Sequence, residues 1–143
     1  MKTILFTLSL FISASFFSQK YEIDVYSVSS RLCDSEVSKE FCMFQPDTVE
    51  NYFNLNMKYI LDFDRGQMTF YEFSNKKPTF TDSMTVELCG ESKWKCFRLG
   101  KSSVILEIEF ETTEFNQSVN TFITNKNFTL VDVFTSFKIE KTE

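Results

Sequence analysis

The chain contains no histidine. That excludes Ser-His-Asp and Cys-His catalysis and every metal site built on imidazole. Only three glycines are present, too few to build a phosphate-cradling glycine-rich loop. The single alanine is Ala14. With the strongest helix former missing from everything that follows, long helices are not expected. Beyond Phe17 no apolar run approaches the about 20 residues that a membrane-spanning helix needs. Positive charge is in deficit, with 15 Lys and Arg against 20 Asp and Glu. On average field, nucleic acid and anionic membrane surfaces are poor partners.

What is present begins with the N-terminus. Lys2 precedes an almost unbroken apolar run from Ile4 to Phe17, and Ser13-Ala14-Ser15 and Ser18 supply small residues for cleavage. The run is too short to span and has the architecture of a cleaved signal peptide, residues 1–18, ahead of a single β domain, residues 19–143. A secreted or periplasmic protein is implied, and all four cysteines, Cys33, Cys42, Cys89 and Cys96, lie beyond the leader. In an oxidising compartment these read as disulfides. Local pairing, Cys33–Cys42 and Cys89–Cys96, is favoured over cross-pairing, because Gly90-Glu91-Ser92 makes a natural turn between the second two. The spacing does not offer the paired two-residue gaps of a four-thiolate zinc site.

Eighteen phenylalanines suit pleated, half-buried surfaces, and period-two alternation runs through the chain. From Phe53 to Phe63, the residues Phe53, Leu55, Met57, Tyr59, Leu61 and Phe63 fall on one face and Asn54, Asn56, Lys58 and Asp62 on the other, with Ile60 the exception. Lys58, on the polar face, is expected to tolerate replacement by Asp, and Leu61 is not. Asp64-Arg65-Gly66-Gln67 follows as a turn, and Met68–Phe73 as the second strand of a hairpin. Ser103–Glu111 puts Val104, Leu106, Ile108 and Phe110 against Glu107, Glu109 and Glu111, a pattern of one buried and one solvated face. Asn125–Asn127 is a turn before Phe128–Ile139, where Val131, Val133, Phe137 and Ile139 share a face. Tyr21–Val28, Met84–Cys89 and Lys95–Leu99 are further strands. Residues 34–42, with Asp34 as N-cap, read as a short helix or helical loop. The expected fold is all-β: one antiparallel barrel or sandwich of about seven or eight strands.

Few side chains could carry chemistry. Asp62-Phe63-Asp64-Arg65-Gly66 resembles the start of a calcium loop but lacks the later acidic residue, so a hairpin turn is the better reading. Glu107, Glu109 and Glu111 could serve a carboxylate-dependent secreted hydrolase only if one were desolvated, and alternation on a wet face offers no such asymmetry. Lys93-Trp94-Lys95-Cys96-Phe97-Arg98 is a basic, aromatic cluster in an acidic chain. Lys93, Trp94, Lys95 and Arg98 are the candidate binding residues if Trp94 is exposed, whereas a core tryptophan removes them. Asn116-Gln117-Ser118 and Asn127-Phe128-Thr129 match N-glycosylation acceptors. No catalytic residue, metal or cofactor is assigned. The reading is a small exported binding protein without enzymatic activity. It holds either a small apolar ligand, as lipocalin-like barrels do, or a protein or glycan partner at its surface.

Overall fold

The computed structural model describes residues 19–44, 49–72, 75–100 and 103–142. The leader reading falls on residues 1–18 and lies outside them. Among the described residues nine strands form one antiparallel sheet: β1 (Lys20–Asp34), β2 (Val49–Tyr52), β3 (Met57–Asp62), β4 (Gln67–Glu72), β5 (Phe80–Leu88), β6 (Lys93–Arg98), β7 (Ile105–Thr112), β8 (Gln117–Thr124) and β9 (Phe128–Thr142). From β3 to β9 each strand pairs with the next, and β9 pairs back along the whole of β1. Because Lys20–Val25 of β1 also pairs with β3, the sheet closes into an eight-stranded barrel. Closure leaves those strands no free edge in the ring. β2 lies outside the ring, on the farther half of the same β1 edge, against Val28–Arg31.

β1 and β9 change faces midway. Val25 opposes Phe137 and Val28 opposes Phe134, so Tyr26 and Thr135 are left over as bulges. An extra residue in each strand inverts the alternation beyond it. Ser27 and Thr135 hydroxyls hydrogen-bond across the irregularity at 2.7 Å. Consequently Tyr21, Ile23 and Val25 face the interior together with Val28, although the parity differs. Phe134, Phe137 and Ile139 likewise pack on the interior core, whereas Val131 and Val133 belong to a second, outer cluster. The expected common face for Val131, Val133, Phe137 and Ile139 is therefore broken by the bulge.

The outer cluster is covered by α1 (Lys39–Met43). Its N-cap is Ser38, whose hydroxyl accepts from the Phe41 N–H, and not Asp34 as the sequence suggested. Cys42 is bonded to Cys33 of β1 and is buried with Phe122 and Val131. Lys39 Nζ lies 2.8 Å from Glu107 and 4.8 Å above the Phe122 ring. One member of the expected solvated glutamate ladder is thus buried beneath a helix and paired.

Two further sequence expectations change. Phe53 is exposed and outside any strand, because Asn54 adopts φ 56° and breaks the extended run before Met57. Cys89 and Cys96 are not bonded to each other. The turn at residues 90–92 is there, but the Cys89 N–H bonds to the Lys93 carbonyl and Cys96 opposes Val86. The hairpin register puts Cys96 three residues past the closing pair and on the interior face, with Cys89 exposed at the tip.

Candidate functional site

The barrel interior has two unlike ends. One end carries the start of β1 and the β3–β4, β5–β6 and β7–β8 turns. It is sealed by aromatic rings: Tyr21 meets Phe63, Trp94 and Phe110 at centroid distances of 5.3, 5.3 and 5.1 Å, and Trp94 stacks on Phe110 at 5.2 Å. The middle is packed with Ile23, Val25, Leu61, Met68, Cys96 and Ile108, all at 0% exposure. Burial pushes the Cys96 thiol up to about 12, since the thiolate would lose its hydration there.

The other end, beside α1, is different. Interior-facing side chains become more accessible toward this rim: Leu61 is 0% exposed, Tyr59 is 7% and Leu32, near the end of β1, is 55%. Aromatic rings line it, with Tyr59 at 4.6 Å from Phe70 and 6.1 Å from Phe134, and Phe70 at 5.5 Å from Phe80. Polar groups share the same face. Asp132 of β9 lies between its strand partners Ser30 and Thr121 and accepts a hydrogen bond from the Ser30 hydroxyl. Glu72 opposes Met57, one inward step above the Tyr59–Phe70 pair. Arg98 Nε reaches Asp82 Oδ2 at 3.4 Å without hydrogen-bond alignment, and its guanidinium lies 4.9 Å from the Phe80 ring centre.

The electrostatics follow from burial. Desolvation raises the Asp132 carboxyl above the usual carboxylate range, and the Ser30 hydrogen bond offsets part of that. Burial also drives the Tyr59 phenol far above its ordinary value. The negative charges of Asp132 and Glu72 push the same way, and Arg98 acts against them.

The four candidate residues of β6 do not form one surface. Alternation turns Trp94 and Arg98 inward with Cys96, and Lys93 and Lys95 outward. There Lys93 pairs with Glu109 at 2.6 Å, and Lys95 lies 4.0 Å from the same carboxylate. Arg98 alone reaches the mouth of the barrel. The calcium-like stretch is a hairpin turn in which Asp62 Oδ1 accepts from the Arg65 N–H, with Gly66 at φ 59°. Among the described residues no cluster of potential metal ligands occurs, and no helix is long and apolar enough to cross a membrane. Asn116 and Asn127 of the glycosylation matches are both exposed.

Sequence reasoning missed the mouth residues Tyr59, Glu72 and Asp132 as a group, because each lies on a different strand. Asp132 carried the one usable signal, an acidic residue within the mostly apolar run of β9. No family model, curated protein or solved structure matches the chain, so the functional reading rests on this geometry.

Proposed function

We propose that this is an exported, non-enzymatic carrier that holds a small, mainly apolar ligand in the α1-side half of its barrel. The observation that carries this reading is the asymmetry of the interior: a ring-sealed floor at one end, and at the other packed aromatic rings below rim side chains that are more accessible, such as Leu32. Eight strands enclose a lumen that side chains can fill or that can hold one small ligand, and apolar walls with a few convergent polar groups are what such sites share. Export is supported by the Lys2-led apolar run and by the Cys33–Cys42 bond. A surface site on Lys93, Trp94, Lys95 and Arg98 is less well supported, since those residues point to two faces. A hydrolase using Glu107 and Glu109 is disfavoured because lysines pair both.

Titration with the neutral dye N-phenylnaphthylamine tests the reading. Saturable one-to-one binding is expected. Leu130, which opposes Leu32 and Ile123 near the α1-side end of β9, is on the inward parity of Phe134; Leu130→Trp should weaken dye binding about tenfold, and the outward-facing Ile105→Trp should leave it unchanged. Absence of saturable binding, or binding indifferent to Leu130→Trp, would overturn the carrier reading.

A further inference from the structure

We propose that the outer wall of the barrel carries a second site, a groove over β1, β3 and β4 that binds a neutral oligosaccharide, with the Tyr26 and Phe53 rings stacking on pyranose faces and Asn54, Asn56 and Asn75 meeting the hydroxyls. This inference is independent of the carrier reading, since the groove lies across the sheet from the lumen.

The fold builds the groove. Two hollows adjoin at Asn56, one of about 600 Å³ and one of about 440 Å³, each within the size range of small-molecule sites. The larger lies between the β1 bulge and the turn that joins β2 to β3. Tyr26, the extra residue of that bulge, lines it with Phe53, Asn54 and Ser136. The Leu55 N–H donates to the Tyr26 carbonyl at 2.8 Å, which clamps the turn onto the bulge. Asn54 takes φ 56° there, a conformation asparagine tolerates better than most residues. The smaller hollow continues over Asp24, Lys58, Ile60, Tyr71 and Asn75. Asp24, Lys58 and Tyr71 are partners on successive strands, so their side chains share the outer face.

Chemistry selects the ligand. Tyr26 is 45% exposed and Phe53 69%, and exposed rings rimmed by polar groups mark interaction sites. A ring face covers the C–H face of a sugar as it covers other apolar surface. Each asparagine amide offers two donors and an acceptor, which matches hydroxyls that both donate and accept. Charge argues against the alternatives. Among the described lining residues Lys58 is the one cation, and Glu22 and Asp24 already hold it at 3.3 and 3.5 Å. A sulfated or phosphorylated ligand would find that cation taken and two carboxylates beside it. A cationic ligand would have to displace Lys58. A wholly apolar ligand would strip water from three amides and return no hydrogen bond. A neutral polyhydroxylated chain meets none of these costs, and a groove running across two hollows suits an oligomer.

A printed array tests the proposal. It carries neutral oligosaccharides of glucose, N-acetylglucosamine, galactose and mannose beside sialylated and sulfated counterparts. Retention of the protein is expected on at least one neutral series and not on the acidic ones. For the retained oligosaccharide, calorimetry should show Kd raised about tenfold by Tyr26→Ala and by Phe53→Ala. Both side chains are exposed, so both variants should fold, which circular dichroism checks. Phe115→Ala removes a ring that is 94% exposed on the β7–β8 turn and should leave Kd unchanged, which separates the groove from general adhesion by exposed rings. N-phenylnaphthylamine binding should be unaffected by Phe53→Ala, so failure of this site and failure of the carrier reading are distinguishable. No retention on any neutral series, stronger retention on the acidic ones, or a Kd indifferent to both ring deletions would overturn the proposal.

Discussion

Leu61 and Lys58 sit three positions apart on β3 and face opposite ways. Leu61 is fully buried, so Leu61→Asp places an unpaired carboxylate in the barrel core. A cost of several kcal/mol is expected, enough to unfold most of the protein. Lys58 is not the indifferent surface residue that alternation alone suggests. Its Nζ lies 3.3 Å from Glu22 and 3.5 Å from Asp24 across the β1–β3 pair. Lys58→Asp would set a third carboxylate beside two others, at a cost of about 1 kcal/mol for so exposed a site. Urea denaturation of both variants checks the ordering, and equal losses would mean that the β3 register is wrong. Tyr59 and Leu61 were legible from the period-two pattern. The ion pairs were not, because the partners of Lys58 lie more than thirty residues away on β1. Asp132 makes the other residue-scale prediction. Its folded-state pKa is raised, so between the unfolded and folded pKa values the native state holds more protons than the unfolded chain. Stability from this group is therefore present at acid pH and is lost as pH rises through the folded pKa. Asp132→Asn, whose amide oxygen can still accept from Ser30, should be more stable than the parent at neutral pH. The advantage should vanish below the ordinary carboxylate range. Thermal denaturation from pH 3 to pH 8 measures it, and a variant less stable at every pH would show that the carboxylate is not a burden to the fold.

Among the elements, α1 and the β5–β6 hairpin show what spacing conveys and what it does not. Cys33–Cys42 closes a short loop around a capped helix, and proximity in sequence was enough to identify it. Cys89 and Cys96 looked equivalent, yet pairing in a hairpin depends on which residues close the turn. The closing pair is Cys89 with Lys93, which carries Cys96 away along the strand and inside. Native protein should therefore contain one disulfide and one thiol that reacts promptly with an exposed-thiol reagent, Cys89. Cys96 should react only on unfolding, because it is fully buried and its thiolate is disfavoured. Mapping a Cys89–Cys96 peptide from native protein would refute this register. Replacing Cys33 and Cys42 together by serine should cost roughly 2–3 kcal/mol on the loop-entropy scale and loosen α1 from Phe122 and Val131. The strand signal in the far-ultraviolet should remain, since α1 lies outside the barrel ring. The β1 and β9 bulges were not legible either. A one-residue excess leaves no compositional mark, so the parity of β9 was read straight through Thr135.

At the scale of the whole molecule, the antiparallel all-β class was legible because nearly every segment alternates. Barrel and sandwich were not separable, because what distinguishes them is the pairing of the first strand with the last, Lys20 with Thr142 through Asp34 with Phe128. The mouth was hidden for the same reason: Asp132, Tyr59, Glu72 and Arg98 come from four strands and meet only on closure. Closure also divides labour between the ends, and that division is testable. Trp94 is half-buried in the ring seal with Tyr21, Phe63 and Phe110, at the end away from the mouth, while Phe134 packs against Tyr59 at the mouth. Trp94→Ala should cost roughly 3 kcal/mol through lost packing and leave the affinity for N-phenylnaphthylamine unchanged. Phe134→Ala should lower both stability and affinity. In the parent protein, Trp94 emission should be blue-shifted and insensitive to a non-fluorescent apolar ligand bound at the mouth. If Trp94→Ala weakened ligand binding as much as Phe134→Ala while leaving stability intact, the ring seal would be the binding site and the two ends would have to exchange roles.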